Sequence, residues 1–177
     1  MERAGNIYLV GMMGAGKTTV GRLLARRLKL RFVDCDEEIR RRCGVSIPLI
    51  FEIEGEAGFR AREAQAIEDL TGLDGIVLAT GGGAVLNEAS RARLAARGTV
   101  IYLRARPEEL YERVRHDRDR PLLATADPLE KLRRLYAERD PLYRSVADLV
   151  VDTGRQSVQV LARDLIDRLG ERWKASA

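Results

Sequence analysis

The run Gly11-Met12-Met13-Gly14-Ala15-Gly16-Lys17-Thr18-Thr19 restricts the fold of this 177-residue chain more than any other feature. It fits the pattern GxxxxGK[ST] and follows directly on the apolar stretch Ile7 to Val10. Such a loop is expected between a buried strand and a helix. Its glycines let the backbone turn its amides inward, toward phosphate oxygens at the positive end of the helix. Gly14, Ala15, Gly16, Lys17, Thr18 and Thr19 are therefore expected to bind nucleotide phosphates. Lys17 is expected to reach the outer phosphates, and the Thr18 hydroxyl to ligate Mg²⁺.

The rest of the chain keeps the same rhythm. Apolar runs at Ile7–Val10, Arg31–Asp34, Ile76–Ala79, Val100–Leu103 and Leu149–Val151 read as strands. Between them lie helical patterns at Thr19–Leu30, from Glu37 onward, around Phe59–Ile67, at Glu88–Arg97 and at Pro107–Arg115, with Ser157–Leu169 closing the chain. Alternation of this kind predicts an α/β domain with a parallel sheet covered by helices on both faces. Ligands then bind beyond the carboxyl ends of the strands, so the loops after each strand are where chemistry is expected. With 45% hydrophobic residues, no repeat and no low-complexity linker, one domain over residues 1–177 is expected.

Those loops carry further candidates. After the second strand, Asp34 and Asp36 flank Cys35. Period-two alternation would point both carboxylates the same way, one to hold Mg²⁺ through water and the other to accept a proton from an attacking hydroxyl. Asp36 is also placed to cap the next helix. The third strand ends in Thr80-Gly81-Gly82-Gly83 rather than in an aspartate. Three glycines in a row exceed what a tight turn needs and suggest close approach of a ligand. Phe59, Glu63 and Ile67 share one helical face and read as core packing. Arg60 lies off that face, and its guanidinium suits either a bidentate carboxylate or a surface ion pair with a neighbouring glutamate. The segment His116 to Ala126 is irregular and densely charged and reads as a lid, with Arg118 and Arg120 both able to reach a transferring phosphoryl group. His116 reads as a solvated lid residue, and Arg139 falls near the end of a long helix before the last strand.

Composition narrows the alternatives. The net charge is +4 from 27 Arg and 4 Lys set against 27 acidic residues. The arginines are scattered among acidic neighbours, which favours small-anion binding over nucleic acid. No run approaches the roughly 20 apolar residues of a membrane span. Met1 to Gly5 is too short and polar for a signal peptide, so a cytoplasmic protein is expected. Cys35 and Cys43 read as reduced thiols in or near the core, and a single histidine makes a zinc cluster implausible.

Taken together, GMMGAGKTTVGR, the Asp34/Asp36 pair, GExxFRxxE over Gly55–Glu63, the triple glycine, RPLL from Arg120 and RxPLY from Arg139 resemble the shikimate kinases, in order and spacing, from Ile7 to about Leu169. That resemblance implies a three-layer P-loop kinase fold with five parallel strands in the order 2-3-1-4-5. It also implies a mobile lid at approximately 113–126 and a substrate-binding region at approximately 36–63. It implies ATP-dependent phosphorylation of the shikimate 3-hydroxyl, by a monomer in the route to chorismate and the aromatic amino acids. Asp36, Arg60, Gly81, Gly82, Gly83 and Arg139 match positions around shikimate, with the two arginines on its carboxylate and Asp36 as base. Lys17 and Arg120 match the residues on the transferring phosphate, which selects Arg120 over Arg118. Thr18 and Asp34 match the Mg²⁺ site, and Arg113, Arg155 and Gln156 match the adenine edge. Cys35 and the charged lid depart from the usual pattern. A kinase for another small molecule, such as gluconate, would share the loop but would not need two arginines converging on a carboxylate. A P-loop switch protein is disfavoured, because there is no NKxD and the DxxG at 69–72 sits at a helix end.

Overall fold

A computed structural model describes residues 5–117 and 120–176. Five strands form one parallel sheet in the order β2-β3-β1-β4-β5. They are β1 (Ile7–Val10), β2 (Arg31–Asp34), β3 (Ile76–Ala79), β4 (Thr99–Arg104) and β5 (Leu149–Asp152). Every residue of β1 and β3 is buried, because helices cover both faces of the central strands. That is why these strands read as continuous apolar runs rather than alternating ones.

Among the described residues seven helices connect and flank the sheet: α1 (Lys17–Leu28), α2 (Cys35–Cys43), α3 (Ile47–Thr71), α4 (Glu88–Arg97), α5 (Pro107–Val114), α6 (Pro128–Val146) and α7 (Val158–Ser176). Helix α1 lies so close to the sheet that a Cβ on Gly21 would fall 2.7 Å from Phe32 Cε2 and 3.1 Å from Leu9 Cδ1. Several helix starts are fixed by side-chain caps, from Asp34 on Glu37 N, Ser46 on Leu49 N, Asn87 on Ser90 N and Asp127 on Glu130 N.

Two expectations are corrected. The cap of α2 is Asp34, not Asp36, and the helix starts at Cys35 rather than at Glu37. Asp36 therefore stands in a helical first turn, so strand alternation is not what aligns the two carboxylates. The pattern around Phe59 to Ile67 belongs to a longer element that is broken at Gly55, whose φ of 72° and ψ of −179° no helix tolerates. Beyond that break Phe59, Glu63 and Ile67 do share the buried face. Arg118 lies outside the described residues, as do Met1 to Ala4 of the segment read against a signal peptide. Cys35 and Cys43 are free thiols, one buried and one half-buried.

Candidate active site

The loops after all five strands open on one end of the sheet, where a cleft of about 510 Å³ runs over the P-loop. Gly16, at φ 97°, ends the loop and makes Lys17 the first residue of α1. The Lys17 ammonium is buried and donates to the carbonyls of Gly11 (2.6 Å) and Met12 (2.8 Å). Burial, with Arg120 adding repulsion, pulls its pKa down to about 7. The Asp36 and Asp34 carboxylates oppose that fall, and a phosphate in the cleft would act in the same direction. The Thr18 hydroxyl donates to Asp34 Oδ2 at 3.0 Å, while Asp34 Oδ1 accepts the Glu37 amide at 3.1 Å. Among the described residues, no group of three or more His, Cys, Asp or Glu side chains could hold a metal. One hydroxyl beside one carboxylate suits a hard cation that arrives with its waters and with phosphate oxygens.

Arg113 donates to the Gly14 carbonyl at 2.9 Å and sets one wall of the cleft, against which Gln156 also stands. Thr153, after β5, lines the same wall. No motif signalled it beyond its place at a strand's carboxyl end. Arg155 is exposed, and the lining passes from Gly154 to Gln156 without it.

Beside this cleft lies a second, small cavity of about 60 Å³. Asp36, Arg120, Met13, Gly81 and Gly82 face both spaces, so the two share a wall. Arg60 enters from α3, Arg139 from α6, and Pro121 and Leu122 from a 3-10 turn (Pro121–Leu123). Arg120 itself is tethered through Nε to Asp117 Oδ2 at 3.0 Å.

A Cβ on Gly81 would lie 2.5 Å from Glu63 Oε2 and 3.1 Å from Asp36 Oδ1. One on Gly82 would lie 3.3 Å from Arg139 Nη1, and one on Gly83 would overlap the Arg60 guanidinium. Each glycine makes room for a different charged side chain.

Arg60 does pair with glutamates, with Glu63 Oε1 at 2.8 Å and Glu56 Oε1 at 3.4 Å. This is no surface pair, because Glu63 is only 2% exposed. Sequence reasoning took Glu63 for core packing. The signal was a carboxylate on an otherwise apolar face, which demands a cation. Burial raises the pKa of Glu63, and Arg60 opposes that rise. Burial, and then the neighbouring Asp34, raises that of Asp36.

Arg139 is 2% exposed, with Nε and Nη1 lacking partners. Apart from Ser90 Oγ, every buried side-chain polar atom without a partner among the described residues belongs to this cavity: Asp36 Oδ1, Arg60 Nε, Glu63 Oε2 and the two of Arg139. Buried polar atoms are normally satisfied. So many orphans of both signs around one space mark a site built for a polar, anionic molecule.

A phosphate-binding loop, a carboxylate at the shared wall and a cavity walled by two arginines define a P-loop kinase for a small anionic acceptor. The family model for shikimate kinase matches residues 13–170. A shikimate kinase of Thiobacillus denitrificans is 62% identical over 169 residues, 96% of this chain and 92% of that protein. The solved shikimate kinase of Acinetobacter baumannii, in complex with shikimate, aligns with a TM-score of 0.94 and 47% identity, covering 97% and 96% of the two chains. A gluconokinase from Sinorhizobium meliloti shares the fold, with a TM-score of 0.62, 19% identity and coverage of 97% and 94%. The chain belongs to the shikimate kinase family, and is an ATP-dependent kinase acting on shikimate.

Proposed function

We propose that the chain transfers the γ-phosphoryl group of ATP to the 3-hydroxyl of shikimate, with the nucleotide in the larger cleft and the acid in the smaller cavity. One observation carries this assignment of sites: two guanidiniums with unsatisfied donors line the same small cavity as Asp36, which also faces the P-loop cleft. A planar carboxylate matches such donors in two parallel hydrogen bonds.

In this assignment Arg60 and Arg139 hold the acceptor's carboxylate, with Gly81, Gly82 and Gly83 letting it approach the backbone. Asp36 accepts the proton of the attacking hydroxyl, and its raised pKa makes it a better base than an ordinary aspartate. Lys17 and Arg120 neutralise charge on the transferring group. The backbone from Gly14 to Thr19 cradles the phosphates, while Arg113 and Gln156, with Arg155 at the rim, border the adenine. Thr18 and Asp34 would hold one Mg²⁺, which, when bound, offsets negative charge on the outer phosphates. A cavity of about 60 Å³ is far smaller than a usual ligand pocket of roughly 300 Å³ or more, so the turn bearing Pro121 and Leu122 must swing aside for the acceptor to enter. This reading takes approximately 113–126 as the lid and approximately 36–63 as the substrate-binding region of a single domain. Among the described residues no helix is long and apolar enough to cross a membrane. The same proposal takes the chain to act as a cytoplasmic monomer, without nucleic acid.

The test is ADP release with shikimate, with gluconate and without acceptor. Shikimate should raise the rate far above that with ATP alone, and gluconate should not. Equal rates in all three would refute the proposal.

A further inference from the structure

Three consecutive glycines make the most easily reoriented backbone a chain can have, because no Cβ restricts either side of the peptide units. Beside a bound carboxylate that freedom is a hazard. A flip of the Gly82–Gly83 peptide would exchange the positions of its carbonyl oxygen and its amide N–H, which point in opposite directions in a trans peptide. Two carbonyls of the turn are held by backbone, Gly81 O by the Ala84 amide (3.1 Å) and Gly83 O by the Leu86 amide (3.1 Å). Gly82 O is held differently, by the Tyr143 hydroxyl at 2.5 Å, across 61 residues of chain.

Tyr143 is itself fixed. It is fully buried, and its ring packs on Tyr102 with centroids 4.9 Å apart. The Tyr102 hydroxyl donates to Asp140 Oδ1 at 2.7 Å, and Asp140 Oδ2 accepts from Arg144 at 2.8 Å. Tyr143 also follows Arg139 by four residues on α6, so the two lie on one helical face. Both reach Gly82: the phenol holds its carbonyl, and Arg139 Nη1 lies 3.3 Å from where a Cβ would stand. Burial raises the pKa of the phenol, which keeps it protonated and able to donate.

We propose that Tyr143 is a positioning residue for the acceptor: its hydroxyl locks the Gly82–Gly83 peptide in one orientation and registers it against the Arg139 guanidinium. The proposal rests on the small cavity being the acceptor site. It adds that the triple glycine works only because a side chain from another helix removes its freedom. The acceptor's carboxylate then meets a fixed amide and a fixed guanidinium instead of a mobile turn.

Tyr143→Phe deletes the hydroxyl and keeps the ring on Tyr102. It should raise the KM for shikimate by roughly 3- to 10-fold, the worth of one buried hydrogen bond, while the KM for ATP stays at the parent value. Tyr102→Phe breaks the outer link to Asp140 but leaves the Gly82 contact, and should keep both KM values. Replacing Tyr143 by 4-aminophenylalanine retains a ring and an N–H donor, and should return the shikimate KM to near the parent value. This variant also carries the test if the Phe variant fails to fold. An unchanged shikimate KM in Tyr143→Phe, equal rises in both KM values, or a raised shikimate KM in the 4-aminophenylalanine protein would each overturn the proposal. Parent enzyme without shikimate-dependent turnover would instead strike at the acceptor site itself.

Discussion

Asp36→Asn should lower kcat by about 10²- to 10⁴-fold, because asparagine keeps the shape and much of the hydrogen bonding of aspartate but cannot take a proton. The pH profile should change as well. A base must be deprotonated to act, so in the parent enzyme kcat/KM rises as pH climbs through the Asp36 pKa and then levels. Burial and the nearby Asp34 carboxylate raise that pKa, so the acid limb lies above the usual aspartate range. The Asn variant should lose this limb. Asp34 shares the wall of the cleft but has other partners, the Thr18 hydroxyl and the α2 cap. Asp34→Asn should therefore be partly rescued by raising Mg²⁺ at saturating ATP and shikimate, and Asp36→Asn should not. Rescue of the Asp36 variant alone would reverse the two roles.

The second large effect is expected at the arginines. Arg139→Ala should raise the KM for shikimate by about 10- to 150-fold, corresponding to roughly 1.5–3 kcal/mol for a hydrogen-bonded charged group, with a smaller change in kcat. Arg60→Ala should act in the same direction but less, since its side chain is 20% exposed and already shared with two glutamates. It should also lower the Tm, because Glu63 is left buried without its cation. Adding Glu63→Gln to Arg60→Ala should recover part of the Tm while leaving the KM high. If either arginine variant kept the parent KM, that arginine would not be an anchor for the acceptor.

Much of this was legible in the chain. Ile7–Val10, Arg31–Asp34 and Ile76–Ala79 are strands with the boundaries read from the sequence, where Gly11 follows the first, Asp34 ends the second and Gly75 precedes the third. The P-loop needed only local spacing. The resemblance supplied the sheet order, which no local pattern encodes. What stayed hidden depends on contacts between distant segments. The triple glycine looked like a ligand-binding turn, yet its missing side chains first make room for Glu63, Arg139 and Arg60. The two aspartates do face one cleft, but through a capped helix start rather than through strand alternation. The break at Gly55 was masked by helix-forming residues on both sides, and nothing near Tyr143 in the sequence points to Gly82.

The central claim is that the small cavity presents the shikimate 3-hydroxyl to the γ-phosphate. Proton and phosphorus NMR of a mixture of the protein, Mg·ATP and shikimate tests it most directly. The predicted result is a single new phosphomonoester signal, coupled to the proton on carbon 3, that grows in step with ADP. Growth of ADP with inorganic phosphate alone, or a phosphomonoester coupled to the proton of another carbon, would contradict it.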